Sequence, residues 1–344
     1  MNKHGGYYGE NQEKIIDFSV NINPLGVSEK VIKRIYKSLN EIVRYPEIDG
    51  SSARGIIARN LGIEKTQIIL GNGATELIYL YARTIKANKV LILQPTFNEY
   101  ERAFRLSGSE IFNFLLSEEG GFQIDEAELI CKIKEIKPDM LVICNPNNPT
   151  GIFVEYQKLT GVFDYMKKIG SYIFIDESFI DFTDEEDLLS LVDKYPVFIL
   201  RSMTKFYAIP GIRLGYGLAC EEIIERLNAF KEPWTINSIA LDIVSTLFED
   251  KEYIANTKEW LYSEKGFVKE KLGKFEDIKV FNSYTNFHLC KISNQKASEL
   301  REKLLTDRIY IRTCEDFYGL GDSYFRIAVR THDENIKLIK SLKR

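Results

Sequence analysis

Six short apolar runs, most of them separated by stretches of helix length, constrain this chain more than any other feature. They are Gln67–Leu70, Val90–Leu93, Met140–Cys144, Tyr172–Ile175, Val197–Leu200 and Leu214–Ala219. Runs that are apolar at nearly every position predict strands covered on both faces. Helix-length spacers predict crossovers, so the expectation is an α/β fold built on a mostly parallel sheet. In such sheets ligands bind beyond the carboxyl ends of the strands. The loops after these runs are therefore where chemistry is expected.

Around this centre the sequence predicts further organisation. Ser28 reads as the N-cap of a helix with Val31, Ile32, Ile35 and Leu39 on one face. A helical period starts after Gly73 with Leu77, Leu80, Tyr81 and Ile85. After about residue 222 the segments become longer, helical and charged. Runs 277–281, 286–289 and 324–329 then look like strands of a smaller α+β domain. The chain's 344 residues exceed one typical domain. The division expected is an N-terminal segment, 1–27, packing with the small domain, a large domain, 28–222, and a small C-terminal domain, 223–344.

Composition narrows the function classes. No apolar run approaches the roughly 18 residues of a membrane span, and the opening Met1-Asn2-Lys3-His4-Gly5-Gly6 has no apolar core of a secretory signal. A net charge of −4 without a basic block argues against nucleic acid as partner. Five scattered cysteines without a C-x-x-C pair read as free thiols in a reducing cytoplasm. Three distant histidines suggest no metal site.

The densest chemistry lies in Ser202-Met203-Thr204-Lys205, followed by Pro210-Gly211-Ile212-Arg213-Leu214-Gly215. A lysine flanked by hydroxyls and by an arginine eight residues on suits a phosphate monoester beside an aldehyde, because a guanidinium grips two phosphate oxygens at once. Gly71-Asn72-Gly73-Ala74-Thr75 runs from a strand into a helix start, where backbone N–H groups bind phosphate. Asp176 ends an apolar strand, and Asn145-Pro146-Asn147-Asn148-Pro149-Thr150-Gly151 follows another.

This pattern resembles the fold-type I pyridoxal-phosphate (PLP) enzymes, whose motif S-x-[ST]-K-x-x-x-x-P-G-x-R-x-G it matches. The resemblance runs from about residue 15 to 335 and implies a PLP-dependent transferase fold. It implies Lys205 as the lysine that holds the cofactor aldehyde, Asp176 as partner of the pyridine nitrogen and Asn148 as donor to the phenolic oxygen. Ala74, Thr75, Ser202, Thr204 and Arg213 would hold the phosphate. Phe97, in Gln94-Pro95-Thr96-Phe97-Asn98-Glu99-Tyr100, would stack on the cofactor ring. Tyr45, in Arg44-Tyr45-Pro46, would reach the partner subunit's cofactor, which implies a homodimer with shared active sites. One element departs from the pattern. Aminotransferases of this fold usually carry a tyrosine three residues after the aspartate, and here that position is Phe179.

Two further segments bear on the reaction. Phe325-Arg326-Ile327-Ala328-Val329-Arg330 resembles the family's C-terminal strand, with Arg326 expected on the substrate α-carboxylate and Arg330 on the same face. His4-Gly5-Gly6, then Asp17-Phe18-Ser19-Val20-Asn21-Ile22-Asn23-Pro24-Leu25-Gly26, closely resembles threonine-phosphate decarboxylases of cobalamin biosynthesis. That reading implies decarboxylation of O-phospho-L-threonine, or of O-phospho-L-serine. His4, Ser19, Asn23, Gly26 and the arginines would then form a pocket for the substrate's phosphate. Histidinol-phosphate aminotransferase is the rival. A PLP-binding sensor would need a DNA-binding region for which the chain has no room.

Overall fold

A computed structural model describes residues 4–10 and 14–344. Its strands, in chain order, are β1 (Ile16–Asp17), β2 (Ile68–Asn72), β3 (Lys89–Gln94), β4 (Glu110–Leu115), β5 (Met140–Cys144), β6 (Tyr172–Asp176), β7 (Val197–Ser202), β8 (Leu214–Ala219), β9 (Ile278–Val280), β10 (Phe287–Ile292), β11 (Ile309–Tyr310), β12 (Arg312–Thr313) and β13 (Tyr324–Ala328). Seven of them form one sheet in the order β2-β8-β7-β6-β5-β3-β4. All neighbours are parallel except β8, which runs antiparallel to both β2 and β7. The carboxyl ends of β3, β5, β6 and β7 therefore share one edge.

Alternation along the central strands explains why these runs are apolar throughout. Val142, Phe174, Phe198 and Leu200 pack on one side, with Tyr81 and Leu77 of the helix Ala74–Ile85. Leu141, Ile143, Ile173, Ile175 and Ile199 pack on the other, with Phe163 and Met166. The rings of Phe174 and Phe198 stack at 5.5 Å. Burying side chains of this size contributes about 1.5–3 kcal/mol each.

All six expected strands are present, with ends shifted by up to two residues. β4 has no counterpart among the sequence expectations. It is an edge strand with exposed Glu110 and polar Asn113, so it lacks the continuous apolar run of a strand buried on both faces. The helix after Ser28 spans Glu29–Ser38, and the Ser28 side chain accepts from Val31 N–H. Of its expected apolar face, Val31 is buried, whereas Ile32 and Leu39 stay 40% and 43% exposed.

The second sheet, β12-β13-β10-β9, is antiparallel. Phe325 and Ile327 of β13 and Cys290 and Ile292 of β10 face the helix Lys251–Leu272 through Val268 and Leu272. The alternate positions of β10, Phe287 and Leu289, join the core of the large sheet. By the same alternation Arg326, between Phe325 and Ile327, turns toward the large sheet. The N-terminal residues run along this second sheet: β1 pairs in parallel with β11, and the Phe18 carbonyl accepts from Ala328 N–H at 2.8 Å. Ser19 is thereby brought to Arg326. No helix among the described residues is long and apolar enough to cross a membrane.

Candidate active site

At the shared carboxyl edge lies a cavity of about 340 Å³. Its walls include Ala74, Thr75, Phe97, Asn148, Asp176, Ser202, Thr204, Lys205, Arg213 and His4. These come from five loops and from the leader, which explains why sequence-distant motifs converge.

One wall is a set of donors suited to an anion. Ala74 and Thr75 open the helix Ala74–Ile85, whose first N–H groups have no partner within the helix. Gly73 precedes them with φ +75°, and a Cβ there would lie 2.2 Å from Arg213 Nη2. Only glycine lets the guanidinium lie against the helix start. Arg213 is held there by donating from Nη1 to the Pro210 carbonyl at 3.0 Å. The hydroxyls of Ser202 and Thr204 lie 2.9 Å apart, and Lys205 Nζ donates to Ser202 Oγ at 3.5 Å.

The cavity floor is apolar and acidic at once. Asp176, at the end of β6, is buried; its Oδ2 accepts from Tyr100 O–H and its Oδ1 from Ser178 N–H, both at 2.7 Å. Lys205 is half-buried, and desolvation pushes its amine below the ordinary lysine value, although Asp176 pulls the other way. Its Nζ stands 4.8 Å from the centre of the Phe179 ring. Cys144 pairs in register with Asp176, and burial pushes its thiol up to about 12, so it stays protonated at neutral pH.

The third wall is made by His4 and Gly5 of the N-terminal leader, with Ser19, and Arg326 of β13, behind it. Gly6 N–H donates to Ser19 Oγ at 2.7 Å and Tyr7 N–H to Asp17 Oδ2 at 2.9 Å. Asp17 Oδ1 in turn accepts from Ser19 N–H and O–H. A Cβ on Gly5 would fall 2.3 Å from the Ser19 carbonyl oxygen, so glycine is required for this approach. His4 then projects into the cavity wall, its ring 5.8 Å from that of Phe97. The same Ser19 carbonyl accepts from Arg326 Nη2 at 2.8 Å, and Arg326 Nη1 donates to Asn148 Oδ1. Arg326 Nε is buried without a partner. Burial pushes the Arg326 guanidinium down to about 10, which leaves it cationic at neutral pH.

Six sequence-selected residues, Ser19, Asn23, Gly26, Tyr45, Arg326 and Arg330, do not line the cavity. Asn23 is buried, with its amide N–H groups donated to the Phe206 carbonyl, Tyr253 Oη and Thr257 Oγ1. Its backbone N–H donates to the Lys205 carbonyl at 3.0 Å, so it braces the lysine loop from behind. The Gly26 carbonyl accepts from Tyr253 O–H. Arg330 lies past the end of β13, not on it, and its guanidinium is taken by Glu334 and the Asp17 carbonyl. Tyr45 is 85% exposed on the outer surface beside Trp234. Ser19 lies behind the wall, its carbonyl accepting from Arg326 and its hydroxyl engaged by Gly6 N–H and Asp17. Sequence reasoning missed Tyr100, Ser178, Cys144 and Glu99. The first and last of these stand within the motif that contains Phe97, where the aromatic had drawn attention.

The aminotransferase class I and II family model matches residues 13–342. A provisionally named threonine-phosphate decarboxylase of Caldanaerobacter subterraneus subsp. tengcongensis is 39% identical over 99% of this chain and 93% of its own length. The threonine-phosphate decarboxylase of Salmonella typhimurium is 34% identical over 97% of this chain and 92% of its own length. Among solved structures, the histidinol-phosphate aminotransferase of Clostridium acetobutylicum superposes with a TM-score of 0.89 at 34% identity, covering 95% of this chain and 97% of that one.

Proposed function

The chain belongs to the aminotransferase class I and II family, and on that premise we propose that it is a PLP-dependent decarboxylase of O-phospho-L-threonine, forming the amino-alcohol phosphate used in cobamide biosynthesis. The residues present fit PLP. Arg213, the Ser202 and Thr204 hydroxyls and the helix start at Ala74 and Thr75 offer donors for its phosphate. Asp176, oriented by Tyr100 and Ser178, would hold a proton on the pyridine nitrogen. Asn148 would serve the phenolic oxygen, Phe97 would cover the ring and Lys205 would hold the aldehyde. When bound, the cofactor supplies an electron sink conjugated to the substrate Cα.

The chain's own residues select the bond that breaks. Arg326, fixed by Asn148 and the Ser19 carbonyl, binds the α-carboxylate and holds its bond to Cα in the orientation for cleavage. Phe97 and Phe179 keep water from the reacting carbon. As CO₂ leaves, Lys205 Nζ delivers a proton to Cα, so the product amine keeps its phosphate and loses only the carboxylate.

The observation that carries this reading over transamination is the leader. His4-Gly5-Gly6 is tied at Gly6 to Ser19, the residue whose carbonyl also places Arg326, and it puts an imidazole into the cavity wall where a substrate phosphate would lie. Two copies share their sites in the cytoplasm, on this proposal. Exposed Ile42, Val43, Tyr45 and Trp234 support an interface there, and five free cysteines support a reducing compartment. The test is CO₂ trapping from PLP-loaded protein with O-phospho-L-threonine, O-phospho-L-serine or histidinol phosphate, each with and without 2-oxoglutarate. CO₂ from a phosphorylated amino acid without keto acid is expected. Turnover of histidinol phosphate alone, and only with 2-oxoglutarate, would replace this reading by the aminotransferase.

A further inference from the structure

Glu99 opens the helix Glu99–Leu106 two residues after Phe97, and its side chain is only 4% exposed. Burying a carboxylate is unfavourable unless donors surround it. Here they come from separate elements. Tyr79, on the helix Ala74–Ile85, donates its hydroxyl to Oε2, and Arg102 Nη1 lies 3.3 Å from the same oxygen. Burial pushes the Tyr79 hydroxyl up to about 12, so it remains a donor at neutral pH. The other oxygen, Oε1, faces His4 Nε2 at 3.1 Å. The His4 side chain is half exposed, so its place in the cavity wall depends on what grips it. A histidine whose Nε2 is engaged leaves Nδ1 for a ligand.

We infer that Glu99 is a positioning residue that clasps His4 and holds the leader closed over the cavity, so that a substrate phosphate meets a fixed imidazole. The second half rests on the decarboxylase reading above; the clasp does not. A purely structural Glu99, favoured in a first helical turn by the helix dipole, would affect stability and leave the leader alone.

The experiment uses PLP-loaded wild type, Glu99→Gln and His4→Ala. His4→Ala deletes the same contact from the exposed side, where folding is not at risk. Hydrogen exchange is read on the peptide holding Gly6 and Tyr7, and KM and kcat with O-phospho-L-threonine. In both variants exchange of that peptide quickens, and KM rises about tenfold, the loss of one charge-assisted hydrogen bond, with a smaller change in kcat. The double variant is no worse than the worse single one. Unchanged exchange in Glu99→Gln overturns the clasp. Faster exchange with unchanged KM overturns the role in positioning phosphate. If wild type leaves O-phospho-L-threonine intact, the decarboxylase reading fails while the exchange still decides the clasp.

Discussion

Lys205 holds its amine 4.8 Å from the centre of the Phe179 ring and 3.5 Å from Ser202 Oγ. The side chain that faces the lysine is thus an aromatic without a hydroxyl, at the position where related aminotransferases carry tyrosine.

The buried amine makes the cofactor-free protein sensitive to pH. Burial lowers the native value of Lys205 below 10.5, so between those two values the unfolded chain binds the extra proton. Stability contributed at this site therefore rises with pH through that window and is lower beneath it. Lys205→Met should raise the melting temperature of the cofactor-free protein, and by more at about pH 7 than at about pH 10. A gain independent of pH would show that the amine is not desolvated.

Phe179→Tyr should add a hydrogen bond to the phenolic oxygen of the lysine-bound cofactor. That bond favours the anionic form, so the pH-dependent absorption change should move to lower pH. A spectrophotometric titration superposable on wild type would place the new hydroxyl away from the cofactor.

Gly73 and Arg213 are expected to fail together. Arg213→Ala removes a guanidinium from the phosphate wall, and Gly73→Ala pushes it away, since the added Cβ would sit 2.2 Å from Nη2. Each should weaken PLP binding about 10- to 100-fold, the worth of one or two charge-assisted hydrogen bonds, with a smaller effect on kcat at saturating PLP. Fluorescence titration of cofactor-free protein with PLP measures this directly.

Gly5→Ala tests the leader without touching the cofactor. The new methyl meets the Ser19 carbonyl oxygen at 2.3 Å and must lift the segment. KM for the phosphorylated substrate should rise several-fold while the absorption of bound PLP stays as in wild type. An unchanged KM would detach the leader from substrate binding.

Much of this arrangement was legible in the sequence because it depends on short-range patterns. β2, β3 and β5 to β8 are apolar at nearly every position, since helices cover both faces, and such runs announce themselves. β4 did not, because Glu110 and Asn113 interrupt the apolar run of this edge strand. Lys205, Arg213 and the Gly73 turn were legible as motifs, because a phosphate site needs those residue types at a fixed spacing. Asn23 and Arg330 sit in equally regular motifs yet are spent on bracing: Asn23 on Tyr253 and Thr257, Arg330 on Glu334. Spacing cannot separate a polar group that binds a ligand from one that ties two segments. Glu99 shows the converse. A glutamate at a helix start reads as a solvated charge, and only the packing of Tyr79, Arg102 and His4 around it reveals its burial. Periodicity puts Ile32 and Leu39 on one helical face with Val31, but it counts apolar side chains and cannot say what covers them.

The most direct measurement is phosphorus NMR on PLP-loaded protein given O-phospho-L-threonine and no keto acid, with the products checked by mass spectrometry and Lys205→Ala as control. The substrate resonance is expected to convert to that of 1-amino-2-propanol phosphate with loss of the mass of CO₂, and Lys205→Ala is expected to give no conversion. An unchanged substrate resonance, with histidinol phosphate consumed once 2-oxoglutarate is supplied, would contradict the decarboxylase reading.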